Sequence, residues 1–202
     1  MLLLSATKDF FLRLIKRFEI IKDIESLLLT ALQLTLNHKC TQLLIFITKM
    51  FTRRKIFFIY FIILYFHNYT LFLHSIIHFY LSRYILSYIK QTVQQKRPYI
   101  EYSNTITHFK KRKESFSFPS QSMQSLIFIY CSFDKIYPDN FYLHLYFITL
   151  SILLAFTRMY RGLHYPHDFI FSIFYSKIFF KLCIYTMSTK ISVNFDTCEL
   201  FS

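Results

Sequence analysis

The stretch Thr157-Arg158-Met159-Tyr160-Arg161-Gly162-Leu163-His164-Tyr165-Pro166-His167-Asp168 is a polar island between two apolar runs, 141–157 and 168–187. Gly162 is the only glycine in the 202-residue chain. A sequence that avoids glycine this thoroughly keeps one where the backbone needs an unusual angle or a close approach. Three of the four prolines also lie in short polar islands: Pro98 after Arg97, Pro119 before Ser120, and Pro166. Between the islands the chain is mostly Phe, Ile, Leu, Tyr and Lys. Chemistry is therefore expected to be concentrated in the islands, at the ends of apolar segments.

Those segments set the fold class. Hydrophobic residues make up 54% of the chain and aromatics 21%, against 17% charged, and a soluble domain of this size needs a more charged surface. The apolar residues fall in long runs, the pattern of membrane spans. Trp is absent, so the 16 Tyr residues are left to mark the membrane interfaces. Residues 25–50 form a weak span interrupted by His38 and Lys39; clearer spans lie near 123–137, 141–157 and 168–187, with a turn at Asp134–Asn140. The run 56–89 is long for one crossing of about 20 residues and short for two, with a possible break at His67-Asn68-Tyr69. The expectation is an all-α, polytopic transmembrane helical bundle of five or six spans. Three regions follow: an amphipathic N-terminal segment, 1–24; a membrane-embedded domain, 25–187; and a polar C-terminal tail, 188–202, expected to be unstructured.

The net charge of +13 admits two partners, nucleic acid or anionic lipid. In a chain this apolar, Arg53-Arg54-Lys55 and Lys110-Lys111-Arg112-Lys113 are read as flanks of spans that meet lipid headgroups, with no nucleic-acid partner. Cys40, Cys131, Cys183 and Cys198 are far apart and lack the spacing of a zinc or redox motif. His74 and His78 lie four apart on an apolar helix, but no third ligand is nearby, so no metal site is expected.

Two islands hold groups suited to phosphate chemistry. Lys90 and Arg97 flank one loop; a lysine gives a point charge and an arginine a bidentate fork, a pair suited to phosphate oxygens. In the stretch 157–168, Asp168 follows His164 by four residues, a spacing that places both on one face of a helix entry. The carboxylate would then bind one ring nitrogen and leave the other free to attack, the logic of an oriented base or nucleophile. Arg158 would neutralise the anion under attack. His167 is read as a bystander.

Taken together, the order of these residues resembles the phosphatidic acid phosphatase type 2 superfamily of membrane lipid phosphatases and their haloperoxidase relatives. That family has Lys, six residues and Arg-Pro; then Pro-Ser-Gly-His; then Ser-Arg, five residues, His, three residues and Asp. Here the first block is Lys90 to Arg97-Pro98 and the third is Thr157-Arg158 with His164 and Asp168. The resemblance covers roughly residues 50–187. It implies catalysis without a metal or other cofactor, through a phosphohistidine on His164 oriented by Asp168, with Lys90, Arg97, Ser120 and Arg158 holding the phosphate. It also implies a multi-pass protein of the endoplasmic reticulum or plasma membrane, with a lipid phosphate or diphosphate as substrate. The family's site usually faces the lumen or exterior, whereas the basic residues near the site would by themselves place it in the cytoplasm.

The second block departs from the pattern. It reads Phe118-Pro119-Ser120-Gln121-Ser122, so Ser122 stands at the degenerate acid position where the family has a His. By resemblance that His protonates the leaving oxygen, help worth about 10²- to 10⁴-fold. A departing phosphate needs less help than a departing alkoxide, so Ser122 points to a preference for diphosphate lipids such as polyprenyl diphosphates. His108, in the same loop, is a candidate substitute acid. The alternative is a catalytically impaired member that binds lipid phosphates without turnover.

Overall fold

The computed structural model describes residues 24–34, 42–43, 45–46, 54–103 and 116–199, with the side chains of 54–59 and 189–199 excepted. Residues 1–23 of the amphipathic segment, the second basic cluster and His108 lie outside these residues. All regular structure among the described residues is helical: α1 (Ile24–Leu34), α2 (Arg54–His67), α3 (Tyr69–Val93), α4 (Pro98–Glu101), α5 (Gln121–Ile136), α6 (Phe141–Tyr160) and α7 (Pro166–Glu199).

Local chemistry sets the boundaries. The run 56–89 breaks at Asn68, whose side chain accepts from the Leu71 N–H at 2.9 Å and caps α3. Asn140 caps α6 in the same way, accepting from Leu143 N–H at 3.0 Å. α3 ends where Gln94 adopts φ 52°, a left-handed cap whose N–H bonds the Lys90 carbonyl. α7 opens on Pro166, whose missing N–H costs nothing at a first helical position. It then continues to Glu199, so most of the polar tail expected to lack structure is helical: adding a residue to an existing helix is much easier than nucleating one.

α7 is the central element, packed on α3, α5 and α6, while α2 lies on α3. Phe128 of α5 meets Phe79 of α3 and Phe180 of α7 edge-on, both at 5.6 Å between ring centroids. Polar residues knit the same three helices together. Gln124 donates to Ser82 Oγ at 2.8 Å, Ser176 donates to the Gln124 carbonyl at 3.1 Å, and Ser172 Oγ accepts from Ser120 N–H at 2.9 Å. All five of these side chains are buried, while Phe174, Ile178 and Tyr185 of α7 and Ile152 of α6 face outward. Buried polar links beneath an apolar exterior are the pattern of helices packed in lipid.

Among the described residues, two helical stretches are long and apolar enough to cross a membrane, Phe141–Tyr160 and Pro166–Ser188. α2 has only 14 residues, short of the roughly 20 a crossing takes. α3 has 25, but His74, His78, Arg83 and Lys90 dilute its apolar run. His78 is committed within the bundle: Nδ1 bonds the His74 carbonyl at 2.9 Å and Nε2 faces Thr186 Oγ1 at 3.2 Å.

Candidate active site

The turn between α6 and α7 is built around Gly162. Its φ of 61° is left-handed, where a side chain would clash with the following carbonyl. Its N–H bonds the Met159 carbonyl at 2.7 Å and its carbonyl accepts from Tyr99 N–H at 3.1 Å, while Leu163 N–H returns to the Arg158 carbonyl at 3.0 Å. The chain thus reverses in a few residues and delivers His164, buried, to the start of α7.

His164 Nδ1 lies 3.0 Å from Asp168 Oδ2. A carboxylate oxygen only accepts here, so Nδ1 carries the proton and Nε2 keeps its lone pair. The same Oδ2 accepts from Tyr165 N–H at 3.0 Å and, through a short bond, from Ser117 Oγ. Three donors on one oxygen fix the carboxylate, and the carboxylate fixes the ring. Burial, the largest effect, holds the imidazole below its ordinary value, at about 4; the Asp168 hydrogen bond and charge oppose this, and the charges of Lys90 and Arg97 lower it further. His164 is therefore neutral at physiological pH, as a nucleophile must be. Since the folded value is depressed, protonation sets in only as pH falls toward about 4, well below the ordinary 6.5. Carbethoxylation of His164 by diethyl pyrocarbonate, followed by mass spectrometry, tracks the unprotonated ring. Its rate is expected to rise with pH about a midpoint near 4; a midpoint near 6.5 would mean a solvated ring.

Two of the other candidate residues, Lys90 and Arg97, act on His164 of this pair through their charges. Lys90 lies in the last turn of α3 and Arg97 stands at the N-cap position of α4. Arg97 is buried and donates to the Leu163 carbonyl at 3.3 Å. Ser120, also buried, stands at the N-cap position of α5, and its N–H partner Ser172 donates to the Asp168 carbonyl at 2.6 Å, one turn along α7. Ser122 Oγ is 3.3 Å from Ser120 Oγ, so a hydroxyl and not an imidazole stands beside that cap. Arg158 is half-buried in the last turn of α6, six residues before His164.

Ser117, Gln95 and Glu25, none of them singled out by the sequence pattern, also lie around the pair. His167, read from sequence as a bystander, is buried, with Nδ1 2.8 Å from Glu25 Oε2 and Nε2 3.1 Å from the Gln95 amide nitrogen. Adjacency to Asp168 was the one signal for His167. Glu25, 142 residues away, offered none.

Known proteins share this architecture. LpxE of Aquifex aeolicus superposes with a TM-score of 0.68 at 15% identity, over 80% of this chain and 94% of that one. A transmembrane PAP2 type phosphatidylglycerolphosphate phosphatase from Bacillus subtilis superposes with a TM-score of 0.70 at 17% identity, over 89% and 93%. At such identities the likeness is one of fold. No curated protein sequence matches the chain. The sequence pattern of the PAP2 superfamily, however, matches residues 67–192, from the end of α2 through most of α7. That segment holds every residue of the site proposed from sequence, and with it the chain belongs to the PAP2 superfamily.

Proposed function

We propose that this protein is an integral-membrane phosphatase that hydrolyses a lipid phosphate or lipid diphosphate through a phosphohistidine on His164. The observation that carries the reading is the buried His164–Asp168 pair at 3.0 Å, with Nε2 left as the free nitrogen. In the first step Nε2 attacks phosphorus, the phosphorus–oxygen bond to the lipid portion breaks, and phosphate is held on the ring. In the second, water attacks the same phosphorus, inorganic phosphate leaves and the imidazole is restored. Lys90, Arg97, Arg158 and Ser120 hold the phosphate oxygens and offset the charge that develops on them. The outward apolar faces of α6 and α7 and the transmembrane Bacillus relative support membrane insertion.

Ser122 directs the substrate preference. An alkoxide leaving from a monoester needs a proton donor, whereas a lipid monophosphate leaving from a diphosphate is stable as an anion. A hydroxyl cannot serve as the acid that an imidazolium can. The reading therefore favours diphosphates, attacked at the terminal phosphorus.

Phosphate release by detergent-purified protein from phosphatidic acid and farnesyl diphosphate, with EDTA present and His164→Ala as control, tests both statements. The expected result is His164-dependent release, faster from the diphosphate. Ser122→His is expected to raise phosphatidic acid turnover by about 10²-fold, with a smaller gain on the diphosphate. Equal wild-type rates on the two substrates would remove the preference. Retained binding of lipid phosphate with no release from either would place the protein among catalytically impaired family members.

A further inference from the structure

Behind the His164–Asp168 pair lies a second one. Asp168 Oδ2 accepts three hydrogen bonds, but Oδ1 is buried and accepts none of normal geometry among the described residues. It faces His167 Nε2 at 3.3 Å. On the far side of that ring, Nδ1 meets Glu25 Oε2 at 2.8 Å, while Glu25 Oε1 accepts from the His167 backbone N–H at 3.2 Å. His167 thus sits between two buried carboxylates, its Nδ1 against Glu25 and its Nε2 in a pocket shared by Asp168 Oδ1 at 3.3 Å and the Gln95 side-chain amide, whose nitrogen and oxygen lie at 3.1 and 3.2 Å. A buried carboxylate oxygen without a donor or counter-charge is costly, which makes this arrangement consequential for Asp168. The ring is held flat: Tyr165 stacks on it at 5.3 Å and 12°, and Tyr165 is itself tied to Glu101 by a 2.6 Å hydrogen bond.

The second pair depends on α1, which lies outside the segment matched to the family. Glu25, near the start of α1, grips His167. Gln33, two turns later, donates to the Tyr160 carbonyl at 2.7 Å. Leu29, wholly buried between them, packs in one cluster with Tyr165, Tyr99, Tyr102 and Met159. The two polar anchors are spaced by about 12 Å of helix, and they hold the two ends of the turn 161–166 that carries His164.

We infer that Glu25 and His167 are positioning residues for the reaction, a histidine–carboxylate pair through which α1 braces Asp168 so that Oδ2 stays aimed at His164. This rests on the reading of His164 as nucleophile. Neither residue touches substrate; both act through Asp168.

The test is kcat and KM, on whichever of the two lipid substrates the wild-type protein turns over, for four variants in detergent. Glu25→Gln keeps the shape and an acceptor oxygen but removes the charge. His167→Phe keeps the ring against Tyr165 and removes both nitrogens. His167→Gln keeps one N–H donor, and the double variant Glu25→Gln/His167→Phe asks whether the two act as a unit. His167→Phe is expected to lower kcat by about 10- to 100-fold, by analogy with the losses that follow removal of outer-shell partners of metal-bound histidines. Glu25→Gln is expected to lower it by about 10-fold, with KM changed less than about twofold in both, because only the aim of the nucleophile is lost. His167→Gln should recover part of the loss, and the double variant should be no worse than His167→Phe by more than about twofold. Wild-type kcat in both single variants would overturn the inference while leaving the nucleophile in place. So would losses that fall on KM, follow a lowered melting temperature and show no recovery in His167→Gln. Turnover that survives His164→Ala is a separate outcome, which overturns the nucleophile assignment and this role with it.

Discussion

Replacing His164 by alanine is expected to reduce phosphate release to the background rate, a loss on the order of 10⁶-fold where nucleophile and partners act as a unit. The groups proposed to hold the phosphate remain in that variant. Lys90 lies in the last turn of α3 and Arg97 at the N-cap position of α4, each held on its own stretch of backbone. Binding of lipid phosphate should therefore survive while turnover does not. The ring packs edge-on to Phe169 at 5.5 Å, so its removal leaves a small void and a modest fall in melting temperature. Loss of turnover with binding and fold retained is the signature of a missing nucleophile. Turnover within about tenfold of wild type would mean that the attack is made elsewhere.

The second large effect is expected from Asp168→Asn, at about 10⁴-fold in kcat. Asparagine has nearly the same size, so the turn should persist. Its amide must still receive Tyr165 N–H and Ser117 Oγ, both of which point at Oδ2. If the carbonyl oxygen stays there, the charge that favours the Nδ1-protonated tautomer is gone. If the amide turns its NH₂ toward His164, the ring must carry its proton on Nε2, and the nucleophilic lone pair is lost. Either way the substrate contacts are untouched, so the loss should fall on kcat and not on KM. A wild-type kcat for Asp168→Asn would show that the 3.0 Å contact serves the fold and not the reaction.

Much of this site was legible because its chemistry is local. His164 and Asp168 are four apart, and the turn that joins them is marked by the one glycine in the chain, which proves to be left-handed at φ 61°. The division of 56–89 was likewise legible at Asn68, a strong helix-capping residue inside an apolar run. What was hidden depends on contacts that only the packed bundle creates. Ser117, 51 residues from Asp168, looks like any loop serine, and Glu25 looks like one more charge near an amphipathic segment. His167 was set aside on the geometry of one helix face. That geometry ignored the opposite side of the carboxylate, where α1 and the loop at Gln95 converge. The number of spans was read from apolar length, but length and hydropathy part company in α3. There Arg83 turns to Ser125 Oγ at 2.9 Å, and its guanidinium lies 5.8 Å from the centre of the Phe79 ring.

If phosphate passes through His164, the phosphorylated protein can be trapped. Detergent-purified protein would be mixed with terminally ³²P-labelled farnesyl diphosphate, quenched in alkali within the first turnover and digested for peptide mass spectrometry. Alkali preserves a phosphorus–nitrogen bond and hydrolyses acyl phosphates. The expected result is one alkali-stable, acid-labile label on the peptide that contains His164, absent from His164→Ala and reduced in Asp168→Asn. Steady phosphate release by the wild-type protein with no label on His164, or with label on another residue, would contradict the route through His164.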